Sequence, residues 1–219
     1  MLQIDFELQK LKSSLQEMWV LVEKQLKKSE KALLNFDKAT AREVISREKM
    51  VNAIELKIDS ECESFIATYN PVAIDLRFAL SILKINNNLE RIGDFAEGIA
   101  IFVVKNMSET LPQTFKSNLH IEEMFNEVIT MFTLAKEALI EENTEKAEKV
   151  FGIDNLVDEI NFNAVKVLSD EILLHPEKAE ELMFLHAVIR KLERIGDRCN
   201  NIAEEIVFYL DAKVLKHNK

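Results

Sequence analysis

Two prolines, Pro71 and Pro176, interrupt this chain at matching points of a pattern that it runs through twice. Ahead of each lies a long stretch with helical apolar spacing. Behind each comes the hexapeptide LERIGD, whose glutamate falls 19 residues after Pro71 and 17 after Pro176. A chain built on such a duplication has to fold into two copies of one unit. The unit itself has few turns to work with, because 219 residues contain only four Gly and three Pro. Breakers that scarce exclude a turn-rich β architecture and leave long helices.

The apolar residues bear this out by their spacing. Leu8, Leu11, Leu15, Met18, Val22 and Leu26 step by three or four and stripe a first helix. A second is expected from about 40 to 68, with Val44, Val51, Ile54, Ile58 and Phe65 on one side. Asn70-Pro71 ends it, and a third runs from there to about Val104. Residues 105–118 are polar and include Pro112. The stripe then resumes with Ile121, Phe125, Val128, Phe132, Ala135 and Leu139 on a fourth helix. A fifth spans about 144–174 up to His175-Pro176, and a sixth about 177–214. The expected fold is all-α: two tandem antiparallel three-helix bundles with six long helices, the first over 1–110 and the second over 111–219.

The repeated hexapeptide separates into faces when wound on a helix. Leu89, Ile92, Ala96, Ile99 and Val103 point one way, as do Leu192, Ile195, Cys199, Ile202 and Ile206. Glu90, Asp94 and Glu97, and in the second copy Glu193, Asp197, Asn200 and Glu204, point elsewhere. Gly93 and Gly196 lie between the two stripes, and each costs its helix about 1 kcal/mol relative to alanine. A missing side chain there lets a neighbouring helix come close. That neighbour has its own oxygen-bearing stripe: Glu48, Asn52, Glu55 and Asp59 on the second helix, and Asp154, Asp158 and Asn161 on the fifth. Aligning EKMVN (48–52) with DNLVD (154–158) matches Glu48 to Asp154 and Asn52 to Asp158. Facing stripes of carboxylate and amide oxygens can hold a hard cation, or several bridged by shared carboxylates. Solvated acidic faces are the plainer alternative.

Other chemistry is not offered. Ferritin-like di-iron bundles need Glu-x-x-His, and neither Glu90 nor Glu193 has a histidine three residues on. The histidines at 120, 175, 186 and 217 lack zinc spacing. Cys62 and Cys199 fall on apolar stripes and read as buried structural thiols. Neither a nucleophile elbow nor a Gly-rich phosphate loop is present, so no enzyme activity is expected. A formal net charge of −10 gives no basic stripe for nucleic acid. With no apolar run near the ~20 residues of a membrane span and no signal-peptide layout at the start, a cytoplasmic protein is expected.

LERIGDFAEGIA (89–100) and LERIGDRCNNIAE (192–204), each behind a proline-broken helical hairpin, resemble the PhoU family of phosphate-signalling regulators. NPVAIDLRFALSILK (70–84) is similar to the segment preceding the family's first motif, and the likeness covers nearly the whole chain. The resemblance implies a non-enzymatic cytoplasmic regulator. Such a regulator links the ATPase subunit of an ABC phosphate transporter to a sensor histidine kinase, holds the phosphate-starvation response off, and often forms a homodimer. It further implies metal clusters on the Glu-x-x-x-Asp motifs, iron first, with zinc, manganese, magnesium and calcium as other candidates. Carried over residue by residue, the ligands would be Glu48, Asn52, Glu90 and Asp94 in the first half and Asp154, Asp158, Glu193 and Asp197 in the second. Glu48 and Asn52 stand where the family commonly has aspartates, and Gly98 where the second half has Asn201; the neutral Asn52 is the weaker ligand, so the second set is the better ligand candidate. A metal-free helical scaffold and a metal-storage or redox bundle are the alternatives.

Overall fold

The computed structural model describes residues 2–215, which leaves His217 outside the described residues. Seven helices follow one another: α1 (Leu2–Asn35), α2 (Lys38–Tyr69), α3 (Ala73–Lys105), α4 (Gln113–Asn118), α5 (Ile121–Ile140), α6 (Thr144–Leu174) and α7 (Ala179–Asp211). The six long ones match the expectation. The additions are small: α4, a short helix within the polar connection, and a single 3₁₀ turn at Pro176–Lys178. The last helix stops at Asp211 rather than near 214, with Ala212 in the left-handed region. Pro71 lies just outside α3, behind an extended Val72. Among the described residues there is no strand, and no helix is long and apolar enough to cross a membrane.

The duplication is visible in local structure as well as in sequence. Asp37 caps α2 by accepting from the backbone N–H of Thr40 at 2.9 Å, and Asn143 caps α6 by accepting from Lys146 N–H at 3.0 Å. The buried positions correspond too. Leu15, Met18, Trp19, Val22 and Leu26 on α1 have counterparts in Ile121, Met124, Phe125, Val128 and Phe132 on α5. Ala41, Val44 and Val51 on α2 match Ala147, Val150 and Val157 on α6. On the third helices Leu89, Ile92 and Ile99 match Leu192, Ile195 and Ile202. Each repeat is thus α1–α2–α3 or α5–α6–α7, with α2 and α6 laid along the helix that carries LERIGD.

The repeats share one core. A continuous cluster of buried apolar residues runs through both, and Trp19 of the first meets Phe132 of the second at 5.6 Å between ring centres. Between α3 and α7 the tie is also polar. Arg77 Nε donates to the Tyr209 carbonyl at 3.2 Å, and Ser81 Oγ to that of Glu205 at 3.2 Å. Arg198 reaches the Asn88 side chain at 3.5 Å. A Cβ on Gly98 would collide with the Lys191 side chain lying across it. The partners run up one helix and down the other, so α3 and α7 are antiparallel. Both LERIGD copies lie in the middle of this crossing.

Candidate functional site

Gly93 and Gly196 do what their position between two stripes suggests. A Cβ on Gly93 would stand 3.1 Å from Val51 Cγ1 and 3.5 Å from both carboxylate oxygens of Glu48. A Cβ on Gly196 would stand 3.3 Å from Asp154 Oδ1 and 3.6 Å from Val157 Cγ1. The absent side chain lets α2 lie against α3, and α6 against α7, with a carboxylate laid over each glycine. Glu48 and Asp154 are nearly sealed from water, 5% and 8% exposed. The alignment of the second helices with each other therefore holds in three dimensions.

In the first repeat the charges converge on Asp94. Burial pushes the Glu48 carboxyl up to about 7, with the charges of Asp94 and Glu97 next, opposed by a hydrogen bond from Gln25. Burial is also the main cause that raises Glu90, Glu55 and Glu97, each with Asp94 among its repelling neighbours. Arg91 offsets part of this, pairing with Asp94 at 3.1 Å and with Glu90 at 3.5 Å. In the second repeat Glu193 is raised by burial first, then by Asp197 and Asp158, with Arg194 and Arg190 opposing. Of the eight expected ligands, Glu48, Glu90 and Asp94 are thus brought together on one side, and Asp158, Glu193 and Asp197 on the other, where Asp154 lies over Gly196. Asn52 and Asp158 stand exposed at the rims.

Three residues outside those eight belong to the first face. Glu55 and Glu97 add two carboxylates where the second repeat has the neutral Asn161 and Asn200, which more than makes up for the neutral Asn52. Their place on the stripes at helical spacing was the available signal. Gln25 is the third; it is fully buried on α1, and nothing in local spacing marks it.

The donor set fits a cation. Buried side-chain oxygens without a hydrogen-bond partner occur on both faces: Glu48 Oε1 and Glu90 Oε2 on the first, the latter held only by the 3.5 Å ion pair to Arg91, and Asn161 Oδ1 and Asn200 Oδ1 on the second. With the carboxyls ionised, each is an acceptor left without a donor, which is what a metal ion takes and what a buried chain otherwise avoids. Among the described residues, no three His, Cys, Asp or Glu side chains already stand in reach of one ion. Loading would have to draw the carboxylates inward. The cysteines stay apart from this: both are fully buried, and burial raises their thiols, so they are inert.

The sequence model of the PhoU domain matches this chain twice, over residues 15–103 and 121–206, taking in both acidic faces. The chain belongs to the PhoU family. It is 34% identical over 200 residues to the phosphate-specific transport system accessory protein PhoU homolog of Archaeoglobus fulgidus, covering 90% of this chain and 89% of that one. With PhoU homolog 1 of Thermotoga maritima it shares 29% identity over 210 residues, 96% of this chain and 90% of the other. The crystal structure of PhoU from Pseudomonas aeruginosa superposes with a TM-score of 0.89 at 29% identity, over 95% of this chain and 99% of that one. The PhoU repeats and the acidic faces therefore coincide: each matched segment carries one.

Proposed function

We propose that this chain is a cytoplasmic regulator of phosphate uptake and phosphate-starvation signalling. In this reading it docks on the ATPase subunit of an ABC phosphate transporter and on a sensor histidine kinase, and keeps the kinase response off while phosphate is plentiful. The curated relatives are described as accessory proteins of a phosphate-specific transport system, which supports the transport side of the reading. A net charge of −10 suits basic partner surfaces. A homodimer is the assembly we expect.

The observation that carries the metal part is the pair of acidic faces: each lays a carboxylate over a glycine, and buried side-chain oxygens without a hydrogen-bond partner occur on both. Glu48, Asn52, Glu90 and Asp94 would hold cations on the first face, and Asp154, Asp158, Glu193 and Asp197 on the second. Iron is the first candidate, before zinc, manganese, magnesium and calcium. A bound cation would supply charge neutralisation and a cross-link between paired helices, not bond-breaking chemistry. The chain's own part is to hold repelling carboxylates at fixed spacing on two rigid helix pairs.

Deletion in the native host tests the regulatory reading. Alkaline phosphatase in high phosphate should rise; unchanged repression would sink it. Elemental analysis of chain purified without chelators tests the metal. Equal, negligible metal in the wild type and in Asp154→Ala/Asp158→Ala/Glu193→Ala/Asp197→Ala would remove the second site.

A further inference from the structure

The two repeats provide an internal control for buried positions, and Gln25 breaks the match in a way that packing does not require. Gln25 on α1 and Met131 on α5 occupy the same place, between Val22 and Leu26 in one repeat and Val128 and Phe132 in the other. Both are fully buried. Glutamine and methionine have nearly the same length and volume, so an apolar side chain would fill the first repeat as it fills the second. A buried amide is instead a cost unless it is bonded. Gln25 spends Nε2 on two acceptors of α2: the Val44 carbonyl at 3.1 Å and Glu48 Oε2 at 3.3 Å. The amide grips the helical turn before Glu48 together with the carboxylate that turn carries.

What remains is two fixed oxygens. Glu48 Oε1 and Gln25 Oε1 are both buried and both without a hydrogen-bond partner. Glu48 has one oxygen pinned and the other left over, its carboxylate laid against Gly93 beside Glu90, Asp94 and Glu97. At the equivalent place in the second repeat, Met131 Sδ lies 3.6 Å from where a Gly196 Cβ would be. A thioether has no hydrogen to give and is a soft, weak acceptor.

We propose that Gln25 is a positioning residue of the first acidic face: it holds Glu48 with one oxygen presented, and so makes this face the tighter site for a hard divalent cation. The second face, with Met131 in that place, binds more weakly. This rests on the cation-binding reading given above, and reverses the ranking of the two sets drawn from the sequence. Preorganising a ligand removes the cost of ordering it on binding, and a hard cation favours oxygen over sulfur neighbours.

Mn²⁺ binding to the metal-free full chain tests it, by titration calorimetry with bound Mn²⁺ counted by electron paramagnetic resonance. Asp158→Ala/Asp197→Ala isolates the first face, and Glu90→Ala/Asp94→Ala isolates the second. The first face should bind Mn²⁺ at least tenfold more tightly. Adding Gln25→Met should erase most of that difference and leave the isolated second face unchanged. Its helical signal and unfolding midpoint show whether the fold survives. Should it not, Met131→Gln decides instead, by raising affinity at the isolated second face. Unchanged Mn²⁺ affinity at the first face in a folded Gln25→Met chain, or at the second face in Met131→Gln, overturns the role of Gln25 alone. No Mn²⁺ on either face of the unsubstituted chain overturns the cation reading with it.

Discussion

Gly93 and Glu48 are packed so that a single added carbon on the glycine would stand 3.5 Å from both oxygens of the carboxylate. A helix gives up about 1 kcal/mol by carrying glycine there, and in exchange an acid on a different helix lies directly on its backbone. The same relation joins Gly196 and Asp154 in the second repeat, at 3.3 Å. The duplicated hexapeptide is therefore a device for bringing a neighbour's carboxylate close.

The two glycines differ in how tightly they are enclosed, and alanine should reveal it. At Gly93 the new methyl meets the β-branched Val51 at 3.1 Å; at Gly196 it meets Asp154 Oδ1 at 3.3 Å, with the nearest apolar atoms at 3.6 Å. Helix propensity favours both substitutions by about 1 kcal/mol, while overpacking costs about 1–3 kcal/mol where neighbours cannot yield. Urea denaturation should find Gly93→Ala less stable than Gly196→Ala by about 1 kcal/mol. Equal stability would mean that the first pair of helices is no tighter than the second.

Glu48 should make the metal-free chain less stable as pH rises. Its carboxyl is pushed from 4.5 to about 7, so between those values the folded state keeps a proton that the unfolded state has released. Stability contributed by the neutral acid is complete below about pH 4.5 and is lost as pH rises through 7. The loss is on the order of 3 kcal/mol at neutral pH. Thermal midpoints of metal-free chain between pH 5 and 8 should fall, and Glu48→Gln should flatten that fall. A midpoint that rises over this range in wild type would refute the repulsion drawn here.

Neutralising the faces should stabilise the chain in the absence of metal. Burial and like charge both disfavour the ionised forms of Glu90, Glu97 and Glu193. Glu90→Gln/Glu97→Gln should raise the unfolding midpoint in chelator and abolish any rise that Mn²⁺ produces through the first face. A lower midpoint in chelator would mark these acids as structural.

Lys84 and Glu205 lock the two repeats together. Glu205 is 6% exposed and takes both its oxygens to the Lys84 ammonium at 3.0 Å, which also lies 5.4 Å from the centre of the Phe208 ring. Lys84→Ala strands a buried carboxylate and should cost about 2 kcal/mol in urea denaturation, less than a fully buried pair because the lysine is half exposed. Lys84→Met/Glu205→Leu should recover most of the loss.

The helical class, the doubling and the bounds of α2, α3, α6 and α7 within a few residues are written locally. They follow from apolar steps of three and four, from two prolines, and from caps such as Asp37 and Asn143, each of which acts through its own few neighbours. The acid stripes were legible for the same reason, since helical winding alone puts Glu90 beside Asp94 and Glu48 beside Asn52. Which residues meet across helices was not. Glu97 and Glu55 were legible as members of the two stripes, but it is α2 drawn onto α3 at Gly93 that sets both beside Asp94. Gln25 reaches Glu48 from 23 residues away, and Lys84 reaches Glu205 from the other repeat. Those contacts depend on the rotation and close approach of packed helices, which no spacing within one helix encodes. The sequence alone determined that two acidic faces exist, and only the tertiary structure decided that they are unlike.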